Sequence, residues 1–175
     1  CDFYKTGHVF QYPTDTEIVY STWTPRSNKY FPDAEAVVTL GITPFCKKWL
    51  VDYFNENFFS QTLDSVIAGY KRYMKYCLFI DDADASHIID LHNLGYIPVC
   101  IRSLPEGTLC PIRVPMLTIH NTDKRFPWVT NWLETLMSAE LWIPSTSATI
   151  ALHYRKILER YAMKTVGNTD FVPFQ

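Results

Sequence analysis

The apolar residues of this chain change their period along its length, and each change marks an element. Residues 17 to 23 (Glu-Ile-Val-Tyr-Ser-Thr-Trp) and 35 to 41 are rich in β-branched and aromatic side chains, which predicts two strands around a loop holding Pro25 and Pro32. Thr43-Pro44 then reads as an N-cap followed by proline in the first helical position. The helix so opened is expected to run to about residue 59 and to bury Phe45, Trp49, Leu50 and Tyr53. From 63 to 77 the apolar positions 63, 66, 67, 70, 74 and 77 make one stripe of a second helix. Asp84 is expected to cap a short third helix, and Gly95 to end it in the left-handed conformation.

Two further strands are predicted at 97 to 103 and 114 to 120, around Leu104-Pro105-Glu106-Gly107, whose proline and glycine suit a type I turn. Pro98 and Pro115 lack amide donors, so these strands should start or flank a sheet and not run through its centre. The pattern ends in two longer helices. One, from Pro127 to about 141, turns Trp128, Trp132, Thr135, Leu136 and Ala139 to one side; the other, from Thr146 to about 164, carries Ile150, Ile157, Leu158 and Tyr161. There is no repeat, low-complexity segment or linker, so residues 1–175 are expected to be a single α+β domain with a mixed or antiparallel sheet and about five helices.

Composition narrows the chemistry. With 47% apolar residues over 175, the chain can bury roughly two thirds of its unfolded surface. Its net charge of −2, from 16 basic and 18 acidic residues, gives no broad positive field for a nucleic-acid backbone. Five widely spaced cysteines without a CxxC pair argue against a disulfide framework and a structural zinc site, and read as reduced thiols of a cytoplasmic protein. No apolar run reaches the roughly 20 residues needed to cross a bilayer.

Most of the polar clusters have plain structural readings. The five histidines never converge at metal-ligand spacing, and Asp81-Asp82-Ala83-Asp84 reads as a solvated helix start favoured by the helix dipole. No glycine-rich phosphate loop, nucleophile signature or HExxH is present. Tyr4 differs from the other aromatics in lying between Asp2 and Lys5, outside any apolar period. With Arg26, these residues supply a carboxylate, an aromatic face and a permanent cation, which suits a flat heteroaromatic ring beside a phosphorylated sugar.

The segments DFYKTGHVFQYP at 2–13, LPEGTLCPIRVPMLTIHNTD at 104–123, VTNWLETL at 129–136 and WIPSTSAT at 142–149 carry a resemblance. In order and spacing, over essentially the whole chain, they resemble the N-terminal portion of the nicotinamide phosphoribosyltransferases, a type II phosphoribosyltransferase family. The resemblance implies an enzyme that joins nicotinamide to the ribosyl carbon of phosphoribosyl pyrophosphate, giving nicotinamide mononucleotide and pyrophosphate in NAD biosynthesis. It implies a homodimer with active sites at the subunit interface, and a magnesium ion carried on the pyrophosphate. Tyr4 falls where the family stacks a tyrosine on nicotinamide, Asp2 on the neighbouring acidic position, and Arg26 where an arginine reaches phosphate across the interface.

The same resemblance places the family's catalytic histidine, the second aromatic face, the carboxylate that selects amide over acid and the main ribose-phosphate loop beyond Gln175. The chain is therefore expected to be a fragment that lacks the barrel, binds no cofactor or metal itself, holds no catalytic residue and is inactive alone. The apolar stretch 170–175 is expected to begin a strand leading into that barrel. Two departures stand out: Phe3 replaces a small polar residue, and Ile112-Arg113-Val114 lacks the glycine usual after the turn. Two alternatives remain open, a nicotinate phosphoribosyltransferase domain and a catalytically inert binding or assembly module of this fold. No nucleic-acid or membrane partner is expected.

Overall fold

Five short strands form two separate antiparallel sheets in the computed structural model, which describes residues 1–174. The first sheet has the order β1-β5-β3, with β1 Tyr20–Trp23, β5 Leu117–Asn121 and β3 Val99–Ser103. The second pairs β2 Ala36–Val38 with β4 Leu109–Pro111. The α+β class and the antiparallel pairing agree with the sequence pattern, and among the described residues no barrel closes.

β5 shows why its sequence makes a strand. Leu117, Ile119 and Asn121 are buried while Thr118 and His120 are half-buried, the period of two expected of a sheet with one core face. It is nevertheless the central strand, contrary to the expectation for the segment after Pro115. Pro115 lies two residues before β5, so its missing donor leaves the ladder intact, and Pro98 likewise precedes β3. β4 was not foreseen, being three residues with only Cys110 buried. The turn before it sits one residue later than expected: the Thr108 amide donates to Pro105 O at 3.1 Å, and Gly107 occupies the third position at φ 83°.

The helices are α1 Ile42–Phe45, α2 Leu63–Leu78, α3 Ser86–Leu94, α4 Val129–Trp132 and α5 Glu134–Thr165. After α1 the chain continues as π-helical turns over Cys46–Tyr53 and Asn55–Phe59, where Phe45 is buried but Tyr53 is 48% exposed. On α2 the stripe survives except at Cys77, which is exposed; Met74 alone is fully buried. Gly95 ends α3 at φ 82°; the N-cap is Ala85, without a side-chain cap bond, and not the expected Asp84, which lies one residue earlier and accepts from the Ser86 amide at 2.8 Å.

The two helices expected at the end are one 32-residue helix that runs through Pro144. Its buried face descends four residues at a time through Met137, Leu141, Ser145 and Thr149, continuing from Leu133 just before it. Ser145 and Thr149 serve the adjacent β2 segment: Val38 N donates to Thr149 Oγ1 at 2.9 Å, and Ser145 Oγ donates to Leu40 O at 3.0 Å. These bonds, with the packing of Pro144 on Gly41, hold the helix across a residue that ordinarily breaks one. Beyond Thr149 the expected core positions Ile150, Ile157, Leu158 and Tyr161 are 39–53% exposed. The expected strand at the chain's end is instead a 3-10 turn, Val172–Phe174, and Gln175 lies outside the described residues.

Candidate functional site

β1 and the loop after it, facing α4 and the first turns of α5, enclose an open cleft of about 900 Å³. Three features place its walls. Asn121 anchors the entry to β1, its Nδ2 donating to Glu17 O at 2.8 Å while its Oδ1 accepts from Val19 N at 2.8 Å. The far end is fixed where Met116 N donates to Trp23 O at 2.8 Å and Arg113 N donates to Pro25 O at 2.7 Å. Arg113 makes that bond at φ 71°, so the segment Ile112-Arg113-Val114, noted for lacking a glycine, holds a left-handed backbone without one.

Arg26 lies in this cleft, exposed, with Lys29 beside it. Among the described residues neither is ion-paired. Ser21, Thr22 and Ser27 add hydroxyls, and Glu134 is the carboxylate of the lining. Two cations with hydroxyl donors in a concave surface can hold a phosphorylated ligand, guanidinium in a forked geometry and ammonium as a point charge.

Tyr4 belongs to a 3-10 segment, Phe3–Phe10, that Asp2 immediately precedes and that packs on the same helices from outside the cleft. Asp2 Oδ2 accepts from Thr135 Oγ1 at 2.8 Å, and Trp132 Nε1 donates to Lys5 O at 2.8 Å. Lys5 is 1% exposed and its ammonium bonds to Glu134, with Asp2 Oδ2 at 3.6 Å. Tyr4 is 65% exposed; its ring meets His8 edge-on at 5.4 Å between centroids and has the Lys5 ammonium 5.7 Å from its own centroid. The structure therefore joins Asp2 to the cleft wall through Thr135 and, by way of Lys5, Glu134, while Tyr4 is not part of the cleft lining. Sequence reasoning missed Lys29 and the Lys5–Glu134 pair. A buried lysine has no signature in the local pattern, because its partner lies 129 residues away.

The other candidates resolve structurally. Asp81 pairs with Lys75 at 2.9 Å, Asp82 with Lys71 at 3.4 Å, and Asp84, just ahead of α3, accepts from the Ser86 amide and hydroxyl. Hydrogen bonds from Ser86 hold the Asp84 carboxyl below its ordinary value. Among the described residues no group of three or more His, Cys, Asp or Glu could hold a metal ion, and no helix is long and apolar enough to cross a membrane. All five cysteines are free thiols. A second concavity of about 600 Å³ along α5, between Phe31 and Ile157, is almost wholly apolar.

No protein-family model matches the chain. It is 43% identical over 178 residues to a nicotinamide phosphoribosyltransferase of Acinetobacter baylyi, a span covering 99% of this chain and 35% of that protein. A protein of the same name from Mycoplasma pneumoniae is 30% identical over all of this chain and 41% of its own length. The chain thus spans well under half the length of the curated relatives it matches. Among solved structures, human nicotinic acid phosphoribosyltransferase superposes with a TM-score of 0.63 at 20% identity, over 90% of this chain and 28% of that one, a likeness of fold. By sequence across nearly its whole length, the chain is a homologue of the nicotinamide phosphoribosyltransferases, matching about a third of such a protein and sharing its fold with part of a related enzyme.

Proposed function

We propose that this chain is the N-terminal domain of an enzyme that transfers the phosphoribosyl group of phosphoribosyl pyrophosphate to nicotinamide in the cytoplasm, releasing pyrophosphate. The observation that carries the reading is the 43% identity across 99% of the chain to a relative of that name. Arg26, assisted by Lys29, grips phosphate oxygens in the cleft; Tyr4 stacks on the nicotinamide ring, and Asp2 stands beside it. Because Tyr4 is exposed and outside the cleft lining of its own chain, its ring is available to a second copy in a homodimer, the arrangement that the resemblance implies.

Displacement at ribose builds positive charge on the sugar and negative charge on the departing pyrophosphate. Fixed cations at the leaving group lower that barrier without a covalent intermediate. Magnesium enters with the substrate, on the pyrophosphate, and no residue of this chain is assigned to it. Groups supplied by the rest of a longer protein complete the site, so the isolated chain is inactive.

The test is formation of nicotinamide mononucleotide by the longest natural product of the gene, and by its Arg26→Ala variant. Loss of this cation should raise the KM for phosphoribosyl pyrophosphate about tenfold to a hundredfold. Unchanged dependence on that substrate overturns the phosphate role, and the absence of any product from the full-length protein leaves the inert module as the reading. Preference for nicotinate over nicotinamide would assign the chain to the acid-using enzyme.

A further inference from the structure

His87, on α3, is 7% exposed and enclosed by four aromatic rings from three other elements. Phe10 of the N-terminal segment lies 6.0 Å away, Tyr70 of α2 5.5 Å, Trp128 just before α4 5.2 Å and Trp132 of α4 5.6 Å, all edge-on. Neither ring nitrogen has a hydrogen-bond partner, nor does the buried Tyr70 hydroxyl. Trp132 in turn holds the N-terminal segment directly, through its indole bond to Lys5 O.

We infer that His87 is a proton-sensitive latch on the N-terminal segment: neutral, it completes the aromatic cluster on which Phe10 is seated, and protonated, it releases that segment and with it Asp2 and Tyr4.

The charges around the ring set the direction. From its own side Asp84 and Asp90 favour the imidazolium, but Asp84 is already bonded to Ser86 and both carboxylates are exposed. From α2 the facing titratable group is Tyr70, whose phenol burial keeps protonated; Lys71 is paired with Asp82. The N-terminal segment contributes Phe10, and the α4 side two indoles. Cation–π attraction to these rings opposes the effect. Two buried N–H donors without acceptors outweigh it, and burial keeps His87 below its ordinary value of 6.5. A group depressed in this way supports the folded arrangement above its unfolded pKa, and that support is lost as pH falls through the folded value.

Amide hydrogen exchange in the full-length natural protein, corrected for intrinsic rates, tests this at about pH 7.5 and about pH 5. Protection of residues 3–12 relative to β5 should fall at least about tenfold at the lower pH in the wild type, and by less than about twofold in His87→Phe. Equal losses in both proteins, or none in the wild type, overturn the inference. So does abolition of the effect by His8→Gln, because His8 is the titratable ring beside Tyr4. Should His87→Phe not fold, an NMR titration of wild-type His87 decides. A midpoint below 6.5 shared by the Phe10 ring signals supports the latch, whereas a higher midpoint or unresponsive Phe10 signals overturn it.

Discussion

Lys5 reaches from the third residue of the 3-10 segment to Glu134 at the start of α5, joining the first turn of the chain to a helix 129 residues later. The ammonium is buried and the carboxylate is 62% exposed, so the two partners are not equivalent. Removing Glu134 leaves the buried ammonium with only the more distant Asp2 carboxylate, 3.6 Å away, while removing the ammonium leaves carboxylates that water can solvate. Glu134→Ala is therefore expected to lower stability by about 1–3 kcal/mol, and Lys5→Met by less. Urea unfolding midpoints of the two variants check the order; the reverse order contradicts it.

Gly41 is pressed against α5. It has φ 95°, and a Cβ there would lie 2.6 Å from Pro144 Cγ. The obstacle is a ring within a helix and cannot swing aside. Gly41→Ala should cost about 2–4 kcal/mol from backbone strain and overlap together, far more than the same change at Gly69, where no atom lies within 4 Å. Thermal unfolding of both variants measures the contrast.

In the proposed enzyme Tyr4 acts through its ring face. Tyr4→Phe should keep most activity, and Tyr4→Ala should raise the KM for nicotinamide about tenfold with little change for phosphoribosyl pyrophosphate. Lys29→Ala should show the opposite split, weaker than Arg26→Ala because an ammonium cannot bond phosphate in a fork. Steady-state kinetics with each substrate varied in turn would expose a failure of either pattern.

The Asp84 bonds to Ser86, ahead of α3, predict an acid limb in stability. Its carboxyl is held below the ordinary 3.8, so it contributes above that pH and the contribution disappears as pH falls through the folded value. Asp84→Ala should cost about 1 kcal/mol at neutral pH, with the difference vanishing in strong acid. Denaturation curves of the two proteins across acid pH would show whether the gap closes.

Local chemistry was legible in the sequence wherever one residue decides it. Gly95 and the prolines ahead of β3 and β5 act within a few positions of themselves, and each lies where its chemistry places it. The break expected between 141 and 146 is absent because the spatial neighbours that hold α5 through Pro144, Gly41 and the Leu40 carbonyl bonded by Ser145, are about a hundred positions distant. The same holds for β5, made central by partners on both sides that no local rule specifies. Of the residues that the sequence singled out, Arg26 lines the cleft. Lys29 was not singled out, since an isolated lysine in a polar loop resembles any solvated cation until the facing wall is known.

The engagement of Glu134 reaches beyond stability. Left free, this carboxylate would act as an internal counterion to Arg26 and Lys29 and compete with any anion approaching them. Because Lys5 neutralises it from behind, the concave face presents an uncompensated positive potential to solvent. The polarity that an incoming polyanion meets is thus decided by a side chain that the polyanion never touches.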